Sequence, residues 1–294
     1  MKNIDTLFLS GGGINSLAIV GVFQYLFDNN IITPDLSGIK NIICVSGSSF
    51  IILPFLLKLS IHSIIKIFLT YNEKIINFKE FHINNLFTHY GLYDLDFLDN
   101  LIIPLLINRG FSKNMTLLEL YNLTSINLVI KVVNINQKTI KYINHVSDPD
   151  IPIIQAIKMT CCIPFVFKPI QYRGDLYNDG GISGNFPIEY NQRIKSKKYL
   201  GIRIKSKENR SNINTIMDYL KSLNALPFSP YDLKKSKKII NIDFSLSSFS
   251  FNATQDEKLK RIQIGFQETV KHFNNLRCIH LIPHVNEDQI NGHL

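Results

Sequence analysis

Cysteine is scarce. The 294 residues contain four, Cys44, Cys161, Cys162 and Cys278, two of them adjacent and none in a C-x-x-C pair. That spacing suggests neither a disulfide framework nor a zinc site, and reads better as reduced, buried thiols in an intracellular protein. A long hydrophobic run is missing as well. The greasiest segment, Ile42 to Leu59, is broken by Gly47, by serines, by Pro54 and by Lys58, whereas a membrane span needs about 20 mostly apolar residues. It reads instead as strand, turn and buried helix. The opening "MKNIDTLFLSGGG" reaches its glycines too soon for a secretory signal, so the expected location is the cytoplasm or a membrane surface. Acidic residues are in deficit, 23 against 32 Lys and Arg, for a formal net charge of +9. Such a balance suits an anionic partner. The excess gathers in "RIKSKKYLGIRIKSK", Arg193 to Lys207, and in "KKSKK", Lys234 to Lys238. These are a solvated face and a loop, or a footing on an anionic membrane. No zinc finger or RRM-type aromatic pattern is present, so nucleic acid is not an expected partner.

What is present is apolar: 45% of the residues, enough for a substantial core. Residues 5–10 form a short apolar strand, three glycines follow, and "INSLAIVGVFQYLFDNN" repeats its apolar residues at helical spacing. "IKNIICV" is a second strand and "SSFIILPFLLKLS" a second helix with Pro54 inside it. Residues 60–123 read as mostly helical, and 126–145 as two strands joined near Asn136–Gln137. A helix over 152–162, strands and turns over 165–182, and strands in "KKYLGIRIKS" and "KKIINIDFS" come next. A long amphipathic helix over 254–273 follows, with Asp256 and Glu257 at its positive end. The polar stretch 205–236 is the expected loose region. Strands alternating with helices predict an α/β fold with a largely parallel sheet, in a single domain over 1–294.

Three places could carry chemistry. Gly11, Gly12 and Gly13 lie between a strand and a helix, where bare backbone amides can meet a phosphate or a developing oxyanion. The loop lacks the Lys-Ser/Thr ending of a P-loop, and a plain glycine turn is the competing reading. In "CVSGS", a serine sits at a sharp strand-to-helix bend, the skeleton of a nucleophile elbow. Centring the bend on Ser46 leaves small residues on both sides, Cys44 and Ser48, whereas centring it on Ser48 puts Phe50 in a crowded position. Serines acting only as helix caps compete with that reading. In "NDGGISGNFPI", Asp179 precedes Gly180 and Gly181. It is a turn residue, or a base held at a strand end. None of the eight histidines has a motif-like setting, which favours a two-residue Ser/Asp device over a triad.

The ordered set "LSGGGINSLAIVGVFQYL", "IKNIICVSGSSF" and "AIKMTCCIPFVFKPIQYRGDLYNDGGISGNFPI" resembles the patatin-like phospholipase family over residues 5–190, with strands and a helix over 198–285 completing the domain. The resemblance implies a three-layer α/β sandwich and lipid acyl hydrolysis without metal or cofactor. Ser46 falls on the nucleophile and Asp179 on the dyad carboxylate. Gly11, Gly12 and Gly13 fall on the oxyanion loop, and Gly47, Ser48, Gly180 and Gly181 support the site. Phospholipid or acylglycerol is the implied substrate, with peripheral contact to an anionic membrane. The chain departs from the family pattern at Cys44, at Ser48 and at Asn15, where a basic residue is usual. A lipid-binding or interaction module on the same fold, with impaired catalysis, is the alternative those departures raise.

Overall fold

The computed structural model describes residues 3–70, 83–206, 213, 236–245 and 253–281. The polar segments 207–212 and 214–235, expected to be loose, lie outside the described residues, as does the side chain of Cys278.

The first strand, β1 (Thr6–Leu9), is buried along its whole length. The three glycines leave it, the last opening a short 3-10 turn, Gly13–Leu17, that runs straight into α1 (Ala18–Asp28). The second unit repeats the plan, β2 (Asn41–Val45) followed by α2 (Gly47–Leu56), with Pro54 in the last turn of the helix. Helices α3 (Ile61–Thr70) and α4 (Ile83–His89), the short β3 (Gly91–Tyr93), α5 (Asp96–Asn108) and α6 (Leu117–Thr124) follow. Next come β4 (Asn127–Asn134), β5 (Thr139–Ile143), α7 (Ile153–Cys161), β6 (Phe165–Phe167), β7 (Ile170–Tyr172) and β8 (Asp175–Asp179). The chain continues through α8 (Asn191–Ile194), β9 (Tyr199–Ser206), β10 (Ile239–Phe244) and α9 (Gln255–Leu281).

Among the described residues the main sheet runs β10-β9-β1-β2-β4-β8-β7, with β5 on β4. The pairs from β10 to β4 are parallel, and β8, β7 and β5 join antiparallel. It is a mixed α/β fold with a mostly parallel central sheet flanked by helices, as the strand–helix alternation predicts. Strands β1 and β2 read as unbroken apolar runs because a parallel sheet is covered on both faces. No helix among the described residues is long and apolar enough to cross a membrane.

One detail of register positions everything that follows. Strand β2 pairs with β4 up to Val45 opposite Lys131 and then ends. Strand β8 takes over β4 at the next residue, with Asp179 opposite Val132. Because β5 occupies the other edge of β4, β2 and β8 share one edge. They approach each other end to end, β2 running up and β8 running down, so the residue after β2 meets the last residue of β8.

A second detail positions the last helix. Helices α1 and α9 cross with glycine on both sides. A Cβ on Gly21 would collide with the backbone of Ile262 and Phe266, and a Cβ on Gly265 with the Ala18 carbonyl. Tyr25 packs against Phe266 and Phe273 beside this crossing.

Candidate active site

Ser46 is the residue after β2. Its backbone has φ 55° and ψ −137°, a sparsely populated region that costs about 1–3 kcal/mol for a residue with a side chain. Two contacts hold it there. The Ser46 N–H donates to Thr160 Oγ1 at 2.8 Å, and Thr160 Oγ1 donates to the Lys131 carbonyl at 2.6 Å, at the point where β2 leaves the ladder. Gly47 must be glycine, since a Cβ would lie 2.7 Å from the Gly13 carbonyl and 2.9 Å from Ser16 Oγ.

The neighbouring serines are occupied. Ser48 Oγ lies 2.8 Å from the Val45 carbonyl and 3.1 Å from that of Leu9, and it accepts the Val45 N–H. Ser49 Oγ donates to the Ser46 carbonyl at 2.7 Å. Both lock the turn. The hydroxyl of Ser46 points elsewhere and donates to Asp179 Oδ2 at 2.6 Å, across 133 residues of sequence.

Asp179 is 4% exposed. Its Oδ1 accepts the Gly181 N–H at 2.7 Å, which turns Oδ2 towards Ser46. Burial raises its pKa from 3.8 to about 6, against the opposing pull of the Ser46 hydroxyl, the Gly181 amide and the Lys131 charge. The carboxylate is therefore ionised at neutral pH yet basic enough to accept a proton. Gly180 lies against the Lys131 carbonyl, where a Cβ would collide. Lys131, fully buried, ties the following loop down through Glu189 Oε1 at 2.6 Å and the Gly184 carbonyl at 2.7 Å, and the Tyr142 hydroxyl donates to the same Glu189 oxygen at 2.6 Å.

The glycine loop lies on the other side of Ser46. The Gly11 N–H is engaged with the Asn185 carbonyl at 3.0 Å, so Gly11 packs rather than donates. A Cβ there would lie 3.0 Å from the Ser46 Cβ and collide with the Asn185 side chain. Among the described residues the Gly12 and Gly13 amides have no backbone acceptor. The Asn15 N–H closes the turn onto the Gly12 carbonyl at 2.9 Å.

The departures from the family pattern are accommodated. Cys44 is fully buried, and its thiol donates to the Val129 carbonyl. Burial also holds the thiols of Cys44, Cys161 and Cys162 well above the usual range. Asn15 does not stand without a cation: Arg261 of α9, 1% exposed, donates its Nε to Asn15 Oδ1 at 2.9 Å across 246 residues. Of the described histidines, His145 is stacked on Tyr121 and lies 3.0 Å from Asn127 Oδ1.

Ser46 opens into an apolar pocket. Gly13, Ile14, Gly47 and Cys161 surround the serine, Phe50, Phe68, Leu98 and Leu101 form helical walls, and Ile163 and Phe167 close another side. Lys258 of α9 stands in the same wall. The structure brings Ser46, Asp179 and the glycines, all singled out in the sequence, to one place. Sequence reasoning misses Lys131, Thr160, Asn185, Lys258 and Arg261. Lys131 carried a signal, a lone charge inside the buried run "NLVIKVVN".

A serine hydroxyl bonded to a buried carboxylate, beside an apolar pocket and a loop whose Gly12 and Gly13 amides have no backbone acceptor among the described residues, has the parts needed to cleave an acyl ester. The comparisons agree with that class. The family model described as patatin-like phospholipase matches residues 7–191. The chain is 30% identical over 294 residues to an uncharacterized protein of Acanthamoeba polyphaga mimivirus, covering 93% of this chain and 96% of that one. It is 24% identical over 198 residues to a probable lipid hydrolase of Invertebrate iridescent virus 6, covering 67% of this chain and 66% of that one. Among solved structures, VipD from Legionella pneumophila has the same fold, with a TM-score of 0.67 at 14% identity over 93% of this chain and 67% of that one. The chain belongs to the patatin-like phospholipase family, a family of lipid hydrolases.

Proposed function

We propose that the protein is a serine-dependent lipid acyl hydrolase acting on phospholipid or acylglycerol through Ser46 and Asp179. The single observation that carries this reading is the 2.6 Å hydrogen bond from Ser46 Oγ to Asp179 Oδ2 beside an apolar pocket. Ser46 Oγ attacks the ester carbonyl carbon while its proton passes to Asp179. The oxyanion that forms is met by the Gly12 and Gly13 amides, each such donor being worth roughly 3–4 kcal/mol. Collapse breaks the ester C–O bond, and the leaving alcohol takes the proton from Asp179. Water, deprotonated by Asp179, then attacks the acyl-enzyme and releases the fatty acid with Ser46 restored. The pocket walls hold the acyl chain and keep bulk water from the carbonyl, and no metal or organic cofactor takes part in these steps.

Ser46→Ala is expected to lower fatty-acid release from phospholipid or diacylglycerol vesicles by at least about a thousandfold with the fold unchanged by circular dichroism. A fluorophosphonate probe should label the wild type at Ser46. A wild-type protein that neither labels nor releases fatty acid would overturn the reading in favour of a lipid-binding module.

A further inference from the structure

Lys131 carries a charge into the middle of the sheet and is fully buried. It pairs with Tyr142 on β5, while the next residue, Val132, pairs with Asp179 on β8. Side chains alternate along a strand, so Lys131 and Asp179 lie on opposite faces of the sheet. Their surroundings agree: Val132 belongs to the larger core, and Tyr142 to the smaller core with Phe186, Ile188 and Tyr190. One loop joins the two faces. After Asp179 the chain passes Gly180, which lies against the Lys131 carbonyl, and reaches Glu189 in the smaller core's layer.

An ammonium has three protons to place. Lys131 gives them to Glu189 Oε1 at 2.6 Å, the Gly184 carbonyl at 2.7 Å and the Ser183 carbonyl at 3.3 Å. Two of the three acceptors are therefore backbone of the loop that leaves Asp179. The next residue reaches the other half of the site, since the Asn185 carbonyl accepts the Gly11 N–H at 3.0 Å. The carbonyl of Lys131 itself supports the serine, through Thr160 and the Ser46 N–H. A buried ion pair is a poor source of stability, because apolar residues of similar volume do as well. Apolar residues cannot, however, hold two backbone carbonyls in place.

We infer that Lys131 is a positioning residue for the reaction at Ser46: from the reverse face of the sheet its ammonium fixes the loop that links Asp179 to the glycine loop, and so sets the base and the oxyanion donors in one geometry. This role rests on the hydrolase reading and is carried by a side chain outside the pocket lining. Its test separates holding the loop from holding the fold. Lys131→Met alone leaves Glu189 without its counter-charge and should lower the melting temperature. Lys131→Met combined with Glu189→Met removes both charges and should bring the melting temperature back towards wild type. In that double variant the rate at which a fluorophosphonate labels Ser46 should still lie about a hundredfold below wild type, the scale of a misplaced reacting group. The Lys131 charge also favours the ionised form of Asp179, whose other titratable neighbours, Cys161 and Cys162 of α7, are held neutral by burial. The acid limb of the labelling rate should accordingly move to higher pH in the double variant. Lys131→Gln combined with Glu189→Gln, whose side chain at position 131 ends an atom short of the loop carbonyls, takes its place if the methionine pair does not fold. Labelling at the wild-type rate, a loss no greater than the unfolded fraction, or an acid limb left where the wild type has it would overturn the inference. A wild type that does not label strikes instead at the hydrolase reading itself.

Discussion

At the scale of single residues, the site is built from groups held where they are uncomfortable. Ser46 keeps a left-handed φ because Thr160, Gly47 and the end of β2 leave it no other place. Asp179 keeps a charge in a buried position, and the direction of its shift gives two expectations. In the reaction proposed above Asp179 is the base and must be ionised, so kcat/KM is expected to fall about tenfold per pH unit below about 6. The stability effect runs the opposite way. A folded-state pKa near 6 lies above the ordinary 3.8, so between those values the folded protein holds a proton that the unfolded chain has lost. The contribution of this group is best at low pH and is lost as pH rises through 6, a cost on the order of 3 kcal/mol at pH 8. Asp179→Asn should therefore abolish activity yet raise the melting temperature above wild type at pH 8, with the gap closing towards pH 4. Equal melting temperatures at both pH values would show that the carboxylate is not strained by burial.

At the scale of elements, α9 is part of the site although it is the last described helix of the chain. Gly265→Ala places a methyl group against the Ala18 carbonyl, and no soft side chain is there to yield. The expected cost is about 1–3 kcal/mol from overpacking, read as a lower urea midpoint. Because the helix carries Arg261 to Asn15 and Lys258 to the pocket, activity should fall even well below the unfolding transition. An activity loss no larger than the unfolded fraction would mean that α9 only covers the core. Much of this arrangement can be read from the residues. The β–turn–α units announce themselves by apolar runs ending in glycine or serine, and the hairpin of β4 and β5 by its turn. The meeting of Ser46 with Asp179 cannot be read that way, because the antiparallel entry of β8 onto β4 is a pairing between distant strands with no local signature. Resemblance supplies it instead. The role of α9 lies between these cases. Lys258, Ile262, Gly265, Thr269 and Phe273 share one helical stripe, and all are buried. Periodicity alone therefore puts a lysine on the inward face, but only the folded chain shows that this face ends at the glycine loop.

At the scale of the whole molecule, the parallel sheet gives the protein two unlike ends. Gly13 and Ser46 follow β1 and β2, so the pocket lies at the carboxyl end of the strands, where open α/β sheets place their ligands. The basic run Arg193–Lys207, continuous in sequence, does not stay in one place. Lys195, Lys197 and Lys198 precede β9 and lie exposed at the amino end of the sheet, with Lys40 before β2 and Lys237 before β10. Lys205, near the other end of β9, is separated from Lys198 by roughly 23 Å of extended chain. A lysine held against an anionic bilayer contributes about 1 kcal/mol, so removing two from a docking face should weaken binding roughly thirtyfold. An enzyme that draws an acyl chain out of a bilayer has to present its pocket to the lipid, which turns Lys197 and Lys198 towards water. The paired substitution Lys197→Gln with Lys198→Gln is accordingly expected to change co-sedimentation with phosphatidylglycerol vesicles, and the rate of their hydrolysis, by less than about twofold. A loss approaching the thirtyfold figure would place the bilayer at the amino end of the sheet, and the lipid would then have to reach Ser46 by a route other than the open side of the pocket.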